Sequence, residues 1–140
     1  MNKDVRVCIK GLHSNGDEPS DVGIDVNGTY YYKDGRHYVC FEENFQNGSE
    51  NSHSILKMRP DMIELIRRGH GATHLYFETG KLNHTYYSTI MGKLFIGVDT
   101  SCIDLQVTDK VIKARIEYEL IMDEIKALDC IVEIEITSGE

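Results

Sequence analysis

Apolar residues recur at every second position along nearly the whole chain, and short polar or glycine-containing breaks interrupt the alternation about every ten residues. A period of two belongs to strands that bury one face, and regular turn signals between such runs mark an antiparallel barrel or sandwich. The pattern predicts about ten strands, over 3–12, 22–32, 36–45, 52–59, 62–68, 72–78, 82–89, 93–107 with a break near 100, 111–122 and 126–137. Residues 1–140 read as one domain with no repeat, linker or low-complexity segment. The loops at 14–21 and 46–51 are the polar connections of any length.

Cross-strand partners in a hairpin share a face, so each turn tests whether two apolar faces coincide. Asp34-Gly35 suits a type I′ turn, which sets Tyr32 against His37, Tyr30 against Val39, Gly28 against Phe41 and Val26 against Glu43. The core face then carries Ile24, Val26, Tyr30, Tyr32, Val39, Phe41 and Phe45. Glu43 lies on this face and Glu42 on the other, so the adjacent carboxylates point apart and are not a catalytic pair.

The turn at Pro60-Asp61 aligns Leu56 and Met58 with Ile63 and Leu65 and carries Ser54 and Arg67 inward. Thr79-Gly80 puts Leu75 and Phe77 on one face with Leu82, His84 and Tyr86. A three-residue loop at Ile90-Met91-Gly92 brings Ser88 opposite Leu94, and Asp109-Lys110 aligns Val107, Leu105 and Ile103 with Ile112, Ala114 and Ile116. In the last hairpin, a two-residue Asp123-Glu124 turn would bury Asp129. Taking Ile125 as a third loop residue instead pairs Leu120 with Leu128, Tyr118 with Cys130 and Ile116 with Val132.

Composition narrows the function classes. The chain is 41% hydrophobic and 27% charged, with no apolar run long enough for a membrane span and no apolar signal core near the N-terminus, so a cytoplasmic location is expected. Its net charge of −8 argues against nucleic acid and anionic lipid as partners. Cys8, Cys40, Cys102 and Cys130 are far apart and sit in apolar runs, which fits reduced, packed thiols better than disulfides or zinc.

The segments YVCFEEN at 38–44, SILKMRPDMIELIRRG at 54–69, LYFETGK at 75–81, YSTIMG at 87–92 and YELIMDE at 118–124 resemble the YwiB-like family of bacterial proteins, a domain of unknown function. The likeness spans most of the chain. One departure is Ile90, which stands where the family has proline in a Thr-Pro-x-Gly turn at 89–92. The resemblance implies an all-β fold, a single antiparallel up-and-down β-barrel of about 8–10 strands of the calycin, lipocalin-like type. It carries over no catalytic residues.

A barrel of this size either fills its interior with side chains or holds one small ligand. The inward-facing residues Glu43, Arg67, His84, Tyr86, Tyr30, Ser54 and Leu75 are the candidate binding set, for a small amphipathic or anionic ligand. A buried carboxylate needs a partner, and Arg67 is the nearest candidate for Glu43. Together they could orient a polar headgroup or simply form a structural ion pair. His84 reads as a ligand contact or as a core histidine satisfied by Tyr86. His70 and His74 have metal-pair spacing, but Gly69 and Gly71 make the segment a turn. No catalytic spacing or phosphate loop is present, so neither enzyme activity, cofactor nor metal is expected. The alternative is a filled barrel acting as a protein-interaction or homodimeric scaffold. Tyr31 with Tyr38, and Ile55 with Ile66, are outward pairs suited to such a surface.

Overall fold

Strand β1 (Asp4–Lys10) is followed by β2 (Ile24–Lys33), β3 (Arg36–Asn44), β4 (Asn51–Arg59), β5 (Met62–Arg68), β6 (Thr73–Glu78), β7 (Lys81–Thr89), β8 (Gly92–Val107), β9 (Val111–Met122) and β10 (Ile125–Ser138). The structure, a computed structural model, describes residues 3–11, 24–44, 51–68, 73–89, 92–122 and 125–139, and their side chains except at 43, 44, 51, 52, 87–89, 94 and 125–128. Phe45, His70 and the loops at 14–21 and 46–51 therefore lie outside the described residues, as do the tips of the 90–91 and 123–124 turns.

Each strand pairs antiparallel with the next, and β1 closes the barrel by pairing with both β2 and β10. The fold is thus an all-β, up-and-down barrel, and closure removes the open strand edges that would invite foreign pairing. No helix of the described chain is long and apolar enough to cross a membrane.

The alternation places one residue in two inside. In β1, Val5, Val7 and Ile9 are buried while their neighbours face out, and β9 and β10 repeat the pattern through Ile112, Ala114, Ile116, Val132, Ile134 and Ile136. Val7, Val39, Met58, Ile63, Leu75, Val98, Ile112, Ile116 and Ile136 have no solvent-accessible surface. A side chain lining even a water-sized void would keep some, so these residues pack directly against their neighbours.

Asp34 and Gly35 both have positive φ (53° and 77°), as a type I′ turn requires. The registers read from this turn and from Pro60-Asp61 and Asp109-Lys110 are the observed ones, with Tyr30 opposite Val39, Met58 opposite Ile63 and Leu105 opposite Ala114. In the last hairpin Leu120 does pair with Leu128 and Tyr118 with Cys130. Yet Ile125 pairs with Met122, so the extra residue is a bulge between Lys126 and Leu128 and not a longer loop. The break near 100 is also a bulge, between Thr100 and Cys102. It moves the inward set from Ile96, Val98 and Thr100 to Ile103 and Leu105.

Strand β7 differs from expectation. Thr73 pairs with Tyr87, one residue beyond the register that the Thr79-Gly80 turn alone would set, and Ser88 faces Lys93 where a three-residue loop would have faced Leu94. Both neighbours are thereby shifted by one residue, and a one-residue slip turns every side chain to the other face. Leu82, His84 and Tyr86, expected inside, stand on the outer wall. Asn83 and Thr85 lie beside Val98 and Ile96 on the inner face.

Thr100 is fully buried, and its hydroxyl has no hydrogen-bond partner among the described residues. Its carbonyl still accepts the Gly80 N–H at 2.8 Å. Thr100→Val keeps the shape and removes the desolvated hydroxyl, so urea denaturation should show a gain of about 1–2 kcal/mol. A loss of stability would mean that the hydroxyl is bonded.

Candidate functional site

Cross-strand register lays the inner wall of β2–β6 out in rows. One row runs Gly28, Phe41, Ser54, Arg67, Thr73, and the next runs Tyr30, Val39, Leu56, Leu65, Leu75. Ser54 is only 2% exposed, and its hydroxyl has no hydrogen-bond partner among the described residues. Arg67 lies directly opposite it, half-buried, and Thr73 donates its hydroxyl proton to the Tyr86 carbonyl at 3.0 Å. Glu43 pairs with Ser52, one step further along the same face, and its side chain lies outside the described residues.

The other members of the expected set are elsewhere. Leu75 is wholly buried in the adjoining row. Tyr30 is half-buried, with its hydroxyl 2.8 Å from His37 Nδ1, and His37 belongs to the row on the far side from Ser54. Burial raises the Tyr30 phenol above its ordinary pKa and lowers the His37 imidazole below its own. Both shifts favour the neutral forms of the two groups. Glu42 is exposed on the outer wall, 2.9 Å from His53.

Among the described residues no three His, Cys, Asp or Glu side chains are grouped to hold a metal ion, and His74 instead meets Glu64 at 2.9 Å. None of the four cysteines is in a disulfide. Cys130 is buried, and burial raises its thiol pKa, whereas Cys102 is exposed and not packed as expected.

The outer wall carries what the inner wall does not. Leu82 (45% exposed), Tyr86 (58%) and Phe95 (48%) form an apolar cluster with His84 on β7 and β8. The His84 ring stacks on Phe95 at 5.2 Å with 3° between planes, and Tyr86 tilts against the same ring at 5.2 Å. Gly97 lies buried beneath them; a Cβ there would come 3.1 Å from Leu82 Cδ1 and 3.4 Å from His84 Cδ2. Further round the wall, Tyr31 and Tyr38 stack at 4.8 Å with Lys57 Nζ 5.8 Å from the Tyr38 ring, and Ile55 pairs with Ile66. These last two pairs are as the alternation predicts.

Sequence reasoning missed the β7–β8 cluster because it placed Leu82 and Tyr86 inside as apolar residues. The available signal was Ile96 and Val98, whose burial forces Phe95 outward together with any residue paired to it.

The comparison with curated proteins gives no match. Among solved structures the chain is similar to the ywiB protein of Bacillus subtilis, with a TM-score of 0.81 and 17% identity over 99% of this chain and 93% of that one. That likeness speaks to the barrel fold. Residues 7–134 match the family described as a domain of unknown function, DUF1934, and since this is most of the chain, the protein belongs to the DUF1934 family.

Proposed function

We propose that this barrel is filled and works through its outer wall as a non-enzymatic protein-interaction module. One contrast carries the reading: nine core side chains, Val7 and Ile136 among them, retain no accessible surface, while Leu82, Tyr86 and Phe95 stand together in solvent. Exposed apolar clusters on a folded domain commonly mark association surfaces. The expectation of an interior ligand keeps a supporting observation, the Ser54 hydroxyl, which lies opposite Arg67 and has no hydrogen-bond partner among the described residues.

Native mass spectrometry of freshly purified protein, repeated under denaturing conditions, separates the two readings. A bare chain or a multiple of it is expected. A small-molecule mass lost on denaturation would overturn the filled-barrel reading. The Tyr86→Ser/Phe95→Ser variant should unfold within about 1 kcal/mol of wild type, since both sites are exposed. It should nevertheless lose the protein associations of wild type.

A further inference from the structure

We propose that the β7–β8 cluster is covered by a second copy of this chain, packed face to face about a two-fold axis that crosses β8 between Phe95 and Gly97. This rests on the outer wall being a protein-binding face.

The argument begins with one strand. Before its bulge, β8 turns Lys93, Phe95, Gly97 and Asp99 outward, a cation and an anion on either side of an apolar centre. Neither Lys93 nor Asp99 has an ion-pair partner among the described residues. Six residues of strand separate them by about 20 Å. A two-fold axis through the midpoint reverses the strand, so Lys93 of each copy lies over Asp99 of the other, and both charges gain a partner at once.

The Asp99 end is acidic. A groove of about 260 Å³ opens there, with Asp99, Glu117, Glu119 and Asp129 among its lining residues. The flexible arm of Lys93 suits such a groove. At the centre, Leu82 and His84 close over Gly97, so the second copy's Phe95 meets these two side chains there.

Other occupants fit less well. Asp99 and Glu117 in that groove repel an acidic segment and a nucleic acid backbone. The surface that satisfies a cation–apolar–anion pattern read in reverse is this surface itself.

Sedimentation velocity on the full chain tests the proposal with Lys93→Glu, Asp99→Lys and the double charge swap, each checked for an unchanged thermal midpoint. Wild type should dimerise. Each single variant sets like charges face to face at two contacts and should weaken the dimer by about tenfold or more. The double variant restores opposite charges and should return to within about threefold of wild type.

A double variant as dissociated as the singles would overturn the proposal, as would a dimer indifferent to all three changes. If wild type is monomeric but Tyr86→Ser/Phe95→Ser still loses other protein partners, the self-association falls and the outer-wall reading stands. If neither association is seen, both fall.

Discussion

Phe77→Ala should lower the unfolding free energy by about 3–5 kcal/mol, as expected when a large buried side chain is cut back in a packed core. Phe77 is 2% exposed, sits opposite Ile63, and meets Tyr118 edge-on at 5.0 Å and 61°. That ring contact joins β6 to β9 across the interior. It matters more here than in a regular barrel, because among the described residues β6 and β7 share one ladder pair, Thr73 with Tyr87, and the seam between them depends on side-chain packing. A domain of this size holds about 5–15 kcal/mol in total, so the variant would retain a small margin. Urea denaturation measures the change. A loss below about 1 kcal/mol would show that the interior collapses onto the vacated site.

The other large effect is expected where the barrel closes. Gly11, just after β1, has φ +84°, and a Cβ there would collide with the carbonyl oxygen of Ile131 in β10. Gly11→Ala therefore combines left-handed backbone strain with a clash against backbone, which cannot rotate away as a side-chain end could. The expected cost is about 2–4 kcal/mol. Amide exchange should report it locally, as faster exchange in β1 and β10, whose pairing runs from Val5 with Ser138 to Lys10 with Glu133. Gly80 provides the contrast: its φ is +78°, but a Cβ there would meet nothing within 4 Å. Gly80→Asn should accordingly cost less than Gly11→Ala. Equal losses at the two sites would mean that the contact with β10 carries no weight.

Most of the architecture was legible in the alternation. Ten strands, their approximate limits and the registers about Asp34-Gly35, Pro60-Asp61 and Asp109-Lys110 follow from turn chemistry and from the need to bury one face. These signals are local: a type I′ turn fixes which residues face each other within a few positions, and a pleated strand sends neighbouring side chains to opposite faces. The bulge in β10 was half legible, since the conflict over Asp129 revealed an extra residue without locating it between Lys126 and Leu128.

The candidate site was less legible. The row holding Ser54 and Arg67 came from correct registers, and so did the burial of Leu75. His84 and Tyr86 were lost because β7 obeys neither of its turns. Leucine and tyrosine in a strand look like core, and Asn83 and Thr85 look like surface, so local polarity favours the wrong face.

What reverses that preference is a sum over distant contacts. Ile96 and Val98 fill the interior, and nine successive pairs with β8 hold β7 in the register that this requires. Alternation and turn type act through covalent geometry within a few residues and can be read along the chain. Choosing a face for a strand between two neighbours depends on packing against residues far away in sequence, and that was decided only when the barrel closed.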